Sequence, residues 1–187
     1  MAATVPHSRG HASKTGPWGL AIPGAERNKS RNTVKGAPPV SKLIDLPPIW
    51  LAAFLAAVWG IDRLLPFNLF GALGDMLAAG LALVGAGLFG GAIRAMARAK
   101  TTVIPHRIPQ ALATSGVFRL SRNPIYLGDA AFLLAAILWW DVPQALPLVP
   151  AFMLLIRNRF IRQEEARLRA GFGAAFDDWS ARVRRWL

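Results

Sequence analysis

Two short segments carry residue types that can bind or react. The first is Ser121-Arg122-Asn123-Pro124-Ile125-Tyr126-Leu127-Gly128, where a basic stretch runs into an apolar one. Pro124 bars Asn123 from the α region and suits the first turn of a helix. The N–H groups at such a start have no partner within the helix and face any anion placed there. Arg119 and Arg122 are candidates to pair with a carboxylate, and Tyr126 offers an aromatic face to a base or a cation. The same residues also make an interfacial helix cap, with Tyr126 as anchor and the arginines on lipid phosphate. The second segment is Arg162-Gln163-Glu164-Glu165. Adjacent carboxylates can hold a ribose diol or a cationic ligand, or simply pair with Arg162, Arg167 and Arg169 on one helix. His106 has no second ligand at metal spacing, and His7 and His11 lie in the N-terminal tail, so no metal site is expected.

The elements that must position these residues follow from composition and charge. The 187 residues are 53% hydrophobic and only 17% charged, where a soluble domain carries about 25% charged residues. The absence of cysteine excludes a disulfide framework, a thiolate zinc site and a cysteine nucleophile. The net charge of +12 is distributed in blocks. Residues 1–42 hold seven basic residues and one acid, 94–128 hold six and none, and 157–187 hold eight against four acids. The stretches between them are apolar and slightly acidic. Alternation of this kind is the signature of membrane spans with basic cytoplasmic segments. A nucleic-acid binder would interleave its basic residues with aromatics on one surface; here the basic residues follow the topology rule, so no nucleic-acid partner is expected.

Four apolar runs are legible: Leu46–Leu65, Phe67–Ile93, about Tyr126–Trp140 and about Gln144–Phe160. The last two are short for independent spans of about 20 residues. Joined by the turn Asp141-Val142-Pro143, with Trp139 and Trp140 at the interface, they form a helical hairpin. Four spans place the N-terminus, the 94–128 loop and the C-terminus on one side, which is where the basic residues fall. Residues 1–42 read as a disordered basic tail, and 43–187 as an all-α integral membrane domain. A C-terminal cytoplasmic helix is expected from about Leu154 to Gly171, with a second following Gly173. The second run contains Gly85-Ala86-Gly87-Leu88-Phe89-Gly90, which matches G-x-G-x-x-G. No strand precedes it, so a dinucleotide site is rejected. Gly80, Gly87 and Gly91 point instead to close helix packing.

Taken together, the two chemical segments resemble the isoprenylcysteine carboxyl methyltransferases and the wider group of membrane enzymes that includes phospholipid methyltransferases. The resemblance rests on Arg122-Asn123-Pro124-Ile125-Tyr126-Leu127-Gly128 and, further on, Glu164, Glu165, Leu168, Phe172, Gly173, Phe176, Trp179, Arg182 and Val183 at matching spacing. Thr114-Ser115-Gly116-Val117-Phe118-Arg119 fits the approach to the first motif. The likeness covers about residues 101–183. Asn123 stands where eukaryotic members have His, and Phe176 and Trp179 replace two tyrosines, so hydroxyls there are lost.

This resemblance implies S-adenosylmethionine as cofactor, bound in the 101–187 region where the hairpin meets the C-terminal helices. A methyl group would pass in line from sulfonium to nucleophile. Charge disperses in that step, so alignment supplies much of the acceleration and no metal is required. By the same likeness, Arg119 or Arg122 with the backbone of Asn123, Pro124, Ile125, Tyr126 and Leu127 would hold the methionine end. Glu164 and Glu165 would hold ribose hydroxyls or the amino group. Tyr126 would line the adenine or sulfonium. Arg182 would orient an acceptor carboxylate, or Glu165 would act as base toward an amine or thiol. The acceptor, lipophilic or small, is not singled out: prenylcysteine carboxylate, lipid amine, small thiol and isoprenoid acid all fit. The expected setting is a bacterial inner membrane with both termini cytoplasmic. The competing reading is a nonenzymatic membrane protein, an assembly factor or transporter subunit that retains the fold. A membrane reductase is a minor enzymatic alternative by analogy of fold. Oligomeric state has no sequence signal.

Overall fold

The computed structural model describes residues 46–100 and 111–187, and all regular structure among them is helical. The expected tail over 1–42, and His106 with the rest of 101–110, lie outside the described residues.

Helix α1 spans Pro47–Leu64, with two prolines in the first turn, where their missing N–H groups cost nothing. Helix α2 spans Gly71–Arg98. Its 28 residues reach about 42 Å at 1.5 Å each, enough to cross about 30 Å of hydrocarbon. Only 17% of its apolar 18-residue stretch is buried in protein, unlike the core helix of a soluble domain. Among the described residues it is the helix whose length and apolarity suffice to cross a membrane. A short 3-10 turn, Gly116–Arg119, leads to α3, Pro124–Trp139. After a tight turn and a second 3-10 segment, Pro143–Ala145, α4 covers Leu148–Ile156. A π-helical stretch, Arg157–Ile161, carries α4 without a break into α5, Arg162–Phe172. The helix expected from Leu154 and the fourth apolar run are therefore one rod. Gly173, at φ +51°, lets the chain bend sharply into α6, Ala174–Arg182.

The α2–α3 contact is the most extensive in the fold. It is close because Gly85 and Gly128 meet there: a Cβ on either would stand 3.1 Å from the other's carbonyl oxygen. Gly91 packs on Val117, but Gly80 and Gly87, expected to pack, have nothing among the described residues within 4 Å of a Cβ. A helix that is apolar all round gives the sequence no phase from which to read its buried face. On the other side of α3, Leu133 and Ile137 join Val58, Phe152 and Ile156 in a core shared with α1 and α4. Phe54 meets Phe152 edge to face at 5.3 Å.

At the end of the bundle away from the two chemical segments, Asp141 sits in the left-handed region at φ +54°. Its carboxylate accepts hydrogen bonds from the N–H groups of Leu69 (2.9 Å), Phe70 (2.8 Å) and Gly71 (3.0 Å). The α3–α4 turn thereby supplies the cap that the N-terminus of α2 lacks on its own.

Candidate functional site

Local chemistry builds the first wall of the site. Ser121 is fully buried, and its hydroxyl accepts from the Asn123 N–H at 3.1 Å, a turn that sets up the Pro124 helix start. The second wall is α5, which presents Glu164 and Glu165 half-buried. The residues after α6 close the corner. The Arg122 N–H donates to the Arg184 carbonyl at 2.9 Å. The Arg185 carbonyl accepts from the Ser121 hydroxyl (3.2 Å) and the Asn123 side-chain amide (3.0 Å). Residues 184–185 are thus strapped across the lead-in to α3.

The strap delivers a side chain as well. Arg185 donates through Nε (3.0 Å) and Nη2 (2.7 Å) to the two oxygens of Glu165, a bidentate pair. This bond holds the Arg185 guanidinium above its ordinary pKa. Arg122 stands further off, with Nη1 3.5 Å from Glu165, and both of these side chains are 14% exposed. Burial lowers the pKa of Arg122, and the charge of Glu165 opposes that shift. The Tyr126 hydroxyl donates to Glu164 at 3.4 Å. Burial raises the Glu164 carboxyl, against the opposing pull of Arg167 and of that hydroxyl.

A small cleft of about 60 Å³ has Arg122, Asn123, Glu164, Glu165, Phe118 and Trp179 in its lining; Tyr126 and Arg185 stand behind the glutamates, outside that lining. Two buried donors there have no partner among the described residues: Nε of Arg122 and Nε1 of Trp179. A buried donor without an acceptor is costly, and both residues line the cleft together with the two glutamates. The donor and acceptor set suits a nucleoside bearing an amino-acid end: carboxylates for hydroxyls and ammonium, a guanidinium for carboxylate, and aromatic faces on Trp179 and Phe176, which meet at 5.9 Å.

The remaining sequence candidates lie around this cleft. Pro124 is buried in the first turn of α3, and Ile125 packs on the cluster formed by Phe118, Phe176 and Trp179. Leu127 is half-buried outside the cleft lining. Arg119 is exposed at the end of the 3-10 turn and does not reach the lining. Arg182 is exposed, and its Nε donates to the Asp178 carbonyl of its own helix at 3.1 Å. Sequence reasoning gave no role to Ser121 or Arg185, and saw Trp179 only as a lost hydroxyl. The Arg184-Arg185-Trp186 run stands 20 residues from Glu165, a separation with no helical or turn period to flag it.

The sequence model of the phospholipid methyltransferase family matches residues 73–175. No curated protein and no solved structure matches the chain. The matched stretch takes in all but the first two residues of α2, the Arg122–Gly128 motif and both glutamates, more than half of the chain, which therefore belongs to the phospholipid methyltransferase family.

Proposed function

We propose that the protein is an S-adenosylmethionine-dependent methyltransferase that spans the membrane four times through residues 43–187 and methylates a lipophilic acceptor. The family gives membrane methyl transfer to lipid as the activity class. One observation carries the reading for this chain. One cleft is lined by Arg122, Asn123, Glu164, Glu165 and Trp179, and Arg122 and Trp179 each keep a buried N–H with no acceptor among the described residues.

The bound cofactor supplies an electrophilic methyl on a sulfonium. The chain's part is to bind, align and exclude water. Glu164 accepts from ribose hydroxyls, and Tyr126 fixes its orientation through the hydrogen bond between them. Trp179 and Phe176 provide the aromatic wall, and the indole N–H donates to the base or sugar. Arg122, with the amide ends at the start of α3, takes the carboxylate of the amino-acid end. Glu165 has both oxygens engaged by Arg185, so it holds rather than deprotonates. Arg182, exposed on α6, is the candidate for an anionic group of the acceptor; Arg119 is assigned no ligand.

Calorimetric titration of purified protein with S-adenosylhomocysteine, in detergent and in lipid nanodiscs, tests this. Micromolar affinity that Glu164→Ala removes supports the reading. No binding by folded protein in either medium overturns it in favour of a nonenzymatic relative that keeps the fold.

A further inference from the structure

We propose that Arg185 is a positioning residue for the cofactor carboxylate, acting through Glu165 to keep Arg122 available. The inference rests on the cofactor reading above and deepens it. Arg185 lies outside the matched stretch of the family and outside both chemical motifs.

Two cations compete here for one anion. Arg122 and Arg185 converge on Glu165, so two positive charges meet one negative charge in a half-buried corner. Arg185 takes that carboxylate bidentately, at 2.7 and 3.0 Å. Among the described residues, Arg122 is left with one loose contact at 3.5 Å and a buried Nε–H without an acceptor. An ion pair with one good partner and one poor one leaves the poor partner's charge unsatisfied. That unsatisfied guanidinium lines the cleft. A planar carboxylate is the ligand group that matches its geometry.

Arg185 can perform this task because its backbone is fixed independently of its side chain. Its carbonyl receives Ser121 and Asn123, and the carbonyl before it receives the Arg122 N–H. The strap therefore ties the position of Arg185 to the residue it relieves. Without the Arg185 side chain, Glu165 has one cation left to pair with, and Arg122 closes onto it. The carboxylate of the ligand then meets a guanidinium that is already paired, beside the second carboxylate, Glu164.

The expected signature is a change in ligand preference, which a general loss of structure would not produce. Two probes separate the effects: S-adenosylhomocysteine, which carries the amino-acid end, and 5′-methylthioadenosine, which lacks it. In Arg185→Gln, S-adenosylhomocysteine should bind about tenfold more weakly while 5′-methylthioadenosine is unchanged within about twofold. Arg185→Lys, which restores the charge, should recover most of the loss. Arg122→Lys should show the same selective loss, and the double variant Arg122→Lys/Arg185→Gln should lose no more than the larger single variant. Equal weakening of both nucleosides in Arg185→Gln would reduce the strap to a structural tie and overturn the proposal. Unchanged affinity for both in a folded variant would also overturn it. If Arg185→Gln fails to fold, Arg185→Ala decides with the same two probes: a selective loss of S-adenosylhomocysteine that Arg185→Lys does not share supports the proposal, and equal loss of both nucleosides, or of neither, overturns it. Failure of the cofactor reading itself looks different, since wild-type protein would then bind neither nucleoside.

Discussion

Gly85 and Gly128 face each other with backbone against backbone: the α-carbon of each lies where a side chain would stand 3.1 Å from the carbonyl oxygen of the other. Phe132 closes the same spot from the side, 3.1 Å from a Cβ on Gly85. Gly128 ends the Arg122–Gly128 motif, so the glycine of the chemical segment works as a packing residue. It brings α3 close enough to α2 for the motif to face Met96 across the cleft. Gly85→Ala and Gly128→Ala should each destabilise the protein by about 1–3 kcal/mol, the usual cost of overpacking. Gly87→Ala, which meets open space, should be neutral or slightly stabilising. Thermal melts in one detergent compare all three; equal melting temperatures would argue against the close contact.

The cap that Asp141 provides should depend on pH. The N–H groups of Leu69, Phe70 and Gly71 hold its carboxyl below the ordinary range. A lowered folded-state pKa gives stability that is present above the unfolded value, about 3.9, and lost as pH falls through the folded value. Asp141→Asn keeps the left-handed backbone accessible but removes the charge. It should melt a few degrees lower at pH 7, and the gap should begin to narrow as pH falls below about 4. A gap that does not narrow on acidification would assign the cap to shape rather than charge.

Glu164 should show the opposite sign. Burial raises its carboxyl pKa in the folded protein, so its contribution to stability is largest below the unfolded value, about 4.3, and is lost as pH rises through the folded one. Glu164→Gln should therefore raise the melting temperature near neutral pH, with the gain vanishing in acid. The same variant should weaken S-adenosylhomocysteine binding by roughly tenfold or more, the worth of a hydrogen bond to a charged group. Stability gained together with affinity lost marks a residue placed for a ligand; a variant that loses both would mark a structural ion pair.

Asp129 lies on α3, is 8% exposed, and has no hydrogen-bond or ion-pair partner among the described residues. Asp129→Asn removes the charge at constant size. It should stabilise the folded protein by about 1 kcal/mol, modestly because the amide is also unpartnered. A drop in melting temperature would show that the carboxylate has a partner in the membrane-embedded protein.

How far the sequence carried the structure depends on the range of each signal. Pro124 and Asn123 are neighbours, so the start of α3 was readable, as were the paired glutamates and the Asp141 turn. The four apolar runs all became helices, because hydrophobic length survives any detail of packing. Faces did not follow. Gly87 and Gly85 lie two residues apart in a uniformly apolar helix, and only the position of α3 decides which is buried. The role of Arg185 was hidden for a related reason. It depends on the chain returning across Ser121–Asn123 more than 60 residues away in sequence, and no local period encodes that return.

The π-helical stretch Arg157–Ile161 sets the angular phase of everything beyond it. Such a stretch amounts to one residue added to an otherwise regular helix. Each residue turns an α-helix by about 100°. The rod from Leu148 to Phe172 therefore works like a shaft with a fixed offset: its first half is keyed to the apolar core through Phe152 and Ile156, and its second half is rotated so that Glu164 and Glu165 face Arg122. Removing a single residue, such as Asn158, would leave the helix intact and the composition nearly unchanged. The two carboxylates would nonetheless swing away from the cleft, which makes the offset, as much as the glutamates themselves, a requirement of the site.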